Sequence, residues 1–356
     1  MSKISFNNRN SPFFKVLKEK VDSYFVNNNI HTAGNRRLLF KSLLQISSAM
    51  ALYIVLVFFN PGSLVSLLLS SLLGFNLAVI GFNVMHEGGH QSFSKHRWLN
   101  QASAYSLNIL GGNVYFWKIK HNINHHTYTN IEGLDMDIDV QPFMRLHEQQ
   151  PRYWFHRFQH VYWLVLYSFS YLAWIFYDDF EKYFTGKAVA IAEKRNLAPK
   201  EHLIFWLTKI GYVSLFIVIP IVMVGLVKAL IGFSIITFVC GLFISIVFQL
   251  AHVVESTQFP SPSEESNKME TEWAIHQINT TANFATKNKF ISWLLGGLNF
   301  QVEHHLFPKI SHVHYPQISK LVKETCQEFN ITYLEYPSLI KAFYSHLLHI
   351  KKLGHA

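Results

Sequence analysis

Seven histidines stand in three tight clusters: His86-Glu-Gly-Gly-His90, His121-Asn-Ile-Asn-His125-His126, and His304-His305 preceded by Gln301. Neutral imidazole is the commonest nitrogen ligand for transition metals, and one ion takes about four to six ligands. Seven clustered histidines are too many for one ion and suited to two. His86 and His90 are four residues apart, which on a helix puts both imidazoles on one face, one turn apart. His121 and His125 repeat that spacing, and His126 points about 100° further around. Such an adjacent pair can serve two metals, and His304-His305 repeats the adjacency. A lone histidine is ordinarily a core or surface residue. Three clusters at ligand spacing, each beside an apolar stretch, argue for a two-metal site at a membrane and for oxidative chemistry on a lipid-like substrate.

The elements that must position these residues are apolar helices. Half of the 356 residues are hydrophobic and 15% are charged, against about 25% charged in a soluble domain. Four segments are long enough to span a bilayer, at 43–59, 64–85, 210–227 and 230–250. The first two are joined by Asn60-Pro-Gly-Ser63 and the second two by a turn near Lys228, so each pair reads as a hairpin. A fifth apolar stretch, 160–177, is rich in Tyr and Trp. Parity places it in the interface plane, because clusters one and two precede it, cluster three follows it, and an even number of crossings must separate them. Its Trp163, Tyr167, Tyr171 and Trp174 suit that position. The same logic makes 102–117 a surface-lying helix. The expectation is an all-α integral membrane protein, with four transmembrane helices in two hairpins and a cytosolic helical cap holding the metals. In it, residues 1–42 are a cytosolic N-terminal segment, 43–330 the membrane domain and 331–356 a C-terminal tail.

The formal net charge of +9 fits basic loops on the cytoplasmic side and attraction to anionic headgroups. No basic stripe with interleaved aromatics stands out, so nucleic acid is not an expected partner. Cys240 and Cys326 offer neither a disulfide framework nor a CxxC motif. The polar N-terminus predicts no cleavable signal peptide. The histidine boxes and both termini are expected on the cytoplasmic side.

The three boxes together resemble the integral-membrane fatty acid desaturases, whose pattern is HxxxH, HxxxHH and (H or Q)xxHH. The chain shows His86-Glu-Gly-Gly-His90-Gln-Ser-Phe, His121-Asn-Ile-Asn-His125-His126-Thr-Tyr-Thr-Asn130 and Gln301-Val-Glu-His304-His305-Leu-Phe-Pro308. The resemblance covers roughly residues 40 to 330 and implies a di-iron centre. It implies that dioxygen and two electrons remove two hydrogens from neighbouring methylenes, leaving a cis double bond and water. The glutamine opening the third box resembles the front-end branch, which inserts a double bond between an existing one and the carboxyl end. Fused members of that branch carry a cytochrome b5 domain with an HPGG motif, which this sequence lacks. Electrons are then expected from a separate donor, cytochrome b5 or ferredoxin with its reductase. The substrate is expected to be an acyl-CoA or a membrane lipid.

His252 resembles an extra metal-binding histidine that this family places at the end of the fourth span. His276 and Gln301 are further candidates for ligands or for residues that orient them. Glu87, Glu303, Asn122 and Asn130 are candidates to hold the far nitrogens of ligating imidazoles. Asp135, Asp137 and Asp139 follow box two at alternating positions, as a solvated loop, in that same supporting role, or for recognition of a headgroup. Lys95, Arg97, Lys118 and Lys120 flank boxes one and two, placed to receive a coenzyme A or lipid phosphate, or for general attraction to anionic lipid. Tyr115, Phe116 and Trp117 either line an acyl tunnel or pack as core.

Three rivals remain open. His86-Glu87-Gly-Gly-His90 matches HExxH, where a glutamate serves as general base beside zinc. Gly88 and Gly89 weaken the helix this needs, and five clustered histidines would be idle. A metal transporter would place ionisable ligands within the spans, which here are nearly free of charge. A hydroxylase on the same fold would return oxygen to the substrate.

Overall fold

The computed structural model describes residues 4–8, 12–189, 196–263 and 265–356. Among the described residues, four helices are long and apolar enough to cross a membrane: Arg36–Phe58, Ser63–Gly89, Pro199–Val224 and Leu226–His252. Most of each apolar surface faces outward, as with Phe40, Met50, Leu68 and Val222. This is expected of helices whose solvent is hydrocarbon, where burying apolar groups against protein is not required.

The helices run further than the hydropathy alone indicated. The first begins at Arg36, where Asn35 caps it by accepting hydrogen bonds from the backbone N–H groups of Arg37 (3.0 Å) and Leu38 (3.2 Å). The third begins at Pro199, which supplies a fixed φ at the first turn. The second continues to Gly89 and the fourth to His252, so both carry ligand candidates out of the apolar region on continuous helix. The second connection is Gly225 itself, at φ +86°, a conformation that L side chains rarely adopt. Lys228 lies just inside the fourth span, and its Nζ donates to Asn60 Oδ1 at 3.1 Å. That bond ties the two hairpin turns together at the end away from the histidines.

The stretch read as interfacial forms a helix from Gln159 to Ala173, continued through a π-helical turn, Trp174–Asp178, to Thr185. It is not among the helices that qualify as spans. Its aromatic face does not project into an interface. Tyr167 and Tyr171 are buried, Tyr171 donating to Leu110 O, and Trp163 packs on Phe343. The outward face is instead Val161, Leu164, Val165 and Phe169. Ser170 Oγ meets Gly241 O at 3.2 Å and Ser245 Oγ at 2.7 Å, so the helix packs directly on the fourth span. The expected helix at 102–117 is two helices, Arg97–Ile109 and Val114–Trp117, broken at Gly111 and Gly112.

The cap closes over the histidine-bearing ends of the spans. Phe13, Leu17, Val21 and Phe25 line one face of helix Pro12–Asn27 and pack on Ile318 and Val322 of helix Tyr315–Glu328. Two short parallel strand pairs, Ser5–Phe6 with Lys268–Met269 and Asn283–Phe284 with Glu335–Tyr336, pin distant segments together. The segment read as a tail contains helix Leu339–His355, whose Ala342, His346, Ile350 and Leu353 are buried. Arg145 Nη1 donates to the carbonyls of Leu353 (2.8 Å) and Ala356 (3.1 Å) at its end.

Candidate metal centre

Four segments bring the boxes together. His86 and His90 come from the end of the second span, and His252 ends the fourth. His121 and His125 lie in a π-helical stretch, Lys118–His125, and His304 and His305 in the short helix Gln301–Leu306. π-Helical turns concentrate at functional sites because the wider turn re-aims side chains.

The rings sort into two groups. His86, His90, His121 and His304 each offer a nitrogen within 4.8 Å of the others, and so do His125, His252 and His305. His126 stands between, its ring centroid 4.6 Å from that of His304 and 4.4 Å from that of His305. The adjacent pair 304/305 divides between the groups. His121 and His125 enter different all-histidine groups, and the two also converge with Asp137.

One nitrogen of most rings is held. His121 Nδ1 meets Asp137 at 2.9 Å, and His125 Nδ1 meets both oxygens of Asp135 at 2.9 and 3.0 Å. His305 Nδ1 meets Gln277 Oε1 at 2.7 Å, His304 Nδ1 meets the Tyr315 hydroxyl at 3.2 Å, and His252 Nδ1 meets Thr280 O at 3.4 Å. The opposite nitrogens, Nε2 of His90, His125, His252, His304 and His305, are buried without a partner, as are both nitrogens of His126. An unsatisfied buried polar atom costs about 1–3 kcal/mol. So many converging on one space fit a pair of metal ions, with five of the rings (His121, His125, His252, His304 and His305) fixed from behind. Burial, reinforced by neighbouring imidazoles, holds His90, His126, His304 and His305 well below the usual histidine range, in the neutral form that binds metal. Burial also pulls on His125, but the Asp135 carboxylate outweighs it and raises the pKa.

The other candidates fall in several places. His276 stands outside both groups, with Nε2 on Thr129 O at 2.9 Å and its ring against Phe6. Gln301 is buried at the start of the third-box helix. Glu87 faces away from the histidine groups: Oε1 accepts from the N–H (3.0 Å) and Nδ1 (2.9 Å) of His312, and Oε2 from Ser311 Oγ (2.7 Å). With both oxygens engaged, it is not placed as the general base of a zinc protease. Asn130, at φ +58°, donates to the carbonyls of His252 (2.9 Å), Gln258 (3.2 Å) and Thr280 (3.3 Å), latching box two to the end of the fourth span. Asn122 donates to Gly89 O at 2.9 Å, and Glu303 accepts from Asn283 (2.7 Å) and Tyr333 (2.8 Å), so neither holds a box imidazole. Asp139 accepts from Gln141 N at 3.1 Å and takes no part in the centre.

Of the four cations considered for a headgroup, Lys120 is ion-paired with Asp137 at 2.9 Å. Lys95 and Arg97 edge a shallow surface hollow with His96, Trp98 and Gln101, and Lys118 is half-buried. Trp117 stacks on His121, with centroids 4.7 Å apart at 22°, and its indole edges toward His86 and His90. Phe116 packs on Phe205 instead, and Tyr115 is half-buried. Sequence reasoning missed Gln277, Thr280 and Tyr315, which reach the histidines from distant segments. The only signal for Gln277 was its neighbour His276.

The fatty acid desaturase family model matches residues 61–337. An acyl-lipid (8-3)-desaturase of Physcomitrium patens is 37% identical, over 97% of this chain and 72% of its own length. Two sn-1 linoleoyl-lipid 6-desaturases are similar along almost their whole lengths. That of Synechocystis sp. is 34% identical over 97% of this chain and 96% of its own, and that of Arthrospira platensis 33% identical over 99% and 95%. With four apolar helices and the two histidine groups, these matches show that the chain belongs to the fatty acid desaturase family.

Proposed function

We propose that this fatty acid desaturase is of the front-end type, acts on an acyl chain esterified in a membrane lipid, and works through two irons. The observation that carries the reading is the convergence of partnerless imidazole nitrogens from two histidine groups across His126. His86, His90, His121 and His304 would hold one iron and His125, His252 and His305 the other, with His126 placed to reach either. Bound iron, given dioxygen and two electrons, supplies the oxidising power to take two hydrogens from adjacent methylenes. The chain's own residues do the rest. Asp137, Asp135, Gln277, Tyr315 and Thr280 hold the imidazoles in their ligating orientation, and Trp117 walls the first group.

Relatives named for sn-1 linoleoyl lipids match nearly end to end, which supports an acyl-lipid substrate with an existing double bond. A separate cytochrome b5 or ferredoxin, with its reductase, is the proposed electron donor. Arg36, Arg37 and Lys41 begin the first span at the histidine end, which supports a cytoplasmic position for the boxes and both termini. The test is the fatty-acid profile, by gas chromatography with mass spectrometry, of a host expressing the chain and fed defined acyl substrates. A new double bond between an existing one and the carboxyl end is expected. A hydroxylated product would move the assignment to a hydroxylase.

A further inference from the structure

Asp135 and Asp137 support one histidine in each group, but they are held differently. Asp135 is fully buried and fixed by backbone: Oδ1 accepts from Asp137 N at 3.0 Å and Oδ2 from Asn130 N at 3.0 Å. The Asp137 carboxylate has no such frame. Among the described residues its side-chain partners are His121, on Oδ2 at 2.9 Å, and Lys120, on Oδ1 at 2.9 Å. Lys120 and Asp137 are 20% and 14% exposed, so the pair is shielded enough to persist yet lies at the edge of the cap.

We propose that Lys120 is a positioning residue of the metal centre: it clamps Asp137 so that this carboxylate holds His121 with its Nδ1–H turned outward and its Nε2 turned toward the first group. The proposal rests on the metal-centre reading and goes beyond it, because a lysine adjoining a histidine box reads from sequence as a surface cation for headgroups. The chemistry argues otherwise. An unclamped carboxylate with two free torsions on a partly exposed loop has solvated orientations that abandon His121. A ligand whose far nitrogen loses its partner typically binds metal about 10–100-fold more weakly. Lys120 also draws on the charge of Asp137, whereas Asp135 is met by uncharged N–H groups. The carboxylate-backed imidazole of the first group is therefore the weaker electron donor of the two.

The test uses the full-length protein purified in detergent, with iron(II) titrated against a competing chelator and KM measured for a linoleoyl lipid. Lys120→Met and Asp137→Asn are expected to weaken one of the two irons about 10–100-fold at an unchanged KM. Lys120→Arg, which restores the clamp, is expected to stay near wild type. The Lys120→Met/Asp137→Asn double variant is expected to be no weaker than Asp137→Asn, since both act through one link. Lys120→Gln serves if the methionine variant does not fold. Wild-type iron affinity in Lys120→Met or Lys120→Gln would overturn the proposal. A raised KM at that affinity would return Lys120 to headgroup binding. A wild-type protein that takes up no iron would overturn the metal-centre reading itself, a separate and recognisable result.

Discussion

His304 and His305 are neighbours in the chain, yet their rings lie 5.5 Å apart at 88° and enter different histidine groups. One short helix thus contributes to both halves of the centre. His252, from the far end of the fourth span, completes the second half. His252→Ala is therefore expected to abolish desaturation while the protein still inserts and elutes as wild type. His276→Ala, removing a ring that serves Thr129 and Phe6, is expected to keep most of its product. His125→Ala should behave as His252→Ala does. Product profiles of the three variants at matched expression check this, and retained desaturation in His125→Ala would sink the metal assignment.

Glu87 separates this centre from an HExxH site of similar spelling. It clamps the end of the second span to Ser311 and His312. Glu87→Gln weakens a buried charged interaction, at a cost of about 1–3 kcal/mol. A lower thermal midpoint with product still formed is expected. Complete loss of product at an unchanged midpoint would instead mark Glu87 as a participant in the chemistry.

Gly89 makes room for Trp117. A Cβ at this glycine would lie 2.2 Å from the indole Cζ3, so any side chain forces the ring off His121. Displacing a ligand's neighbour by about 1 Å can cost on the order of 10²-fold in turnover. Gly89→Ala should show a loss approaching that size, and Gly89→Ala/Trp117→Phe should recover part of it. Initial rates on membranes normalised for protein decide the matter, and no loss in Gly89→Ala would refute the role of this contact.

His346 docks the C-terminal helix, with Nδ1 donating to Val253 O at 2.6 Å and Nε2 facing the Tyr167 hydroxyl at 2.9 Å. Burial lowers its pKa from 6.5 to about 4. A histidine kept neutral in the fold binds fewer protons than in the unfolded chain. Stability is therefore full above pH 6.5, falls as pH drops below it, and levels off below about 4. The total from this group is on the order of 3 kcal/mol. His346→Gln should be less stable at neutral pH but show a flatter decline between pH 6.5 and 4. Thermal melts across that range measure it, and parallel curves for the two proteins would contradict it.

The histidine boxes and the four spans were legible because their signals are local: ligand spacing within a few residues, and unbroken apolar runs. The π-helical stretch carrying His121 and His125 was not, since a periodicity argument assumes the α-helical turn. Tyr167 and Tyr171 were misread because an interfacial aromatic belt and an internal aromatic seam have the same composition. Two aspartates after box two, Asp135 and Asp137, read more readily as a solvated loop than as histidine support, and only the folded-back loop decides. Gln277, Thr280 and Tyr315 carry no mark in the sequence, because their role exists only once distant segments meet.

The most direct test of the central claim is a metal count on the purified, active protein by plasma mass spectrometry. The two histidine groups predict about two irons per chain, the number that imidazole sets of this size accommodate. A single zinc per chain, or no bound metal in a preparation that still makes product, would contradict the account.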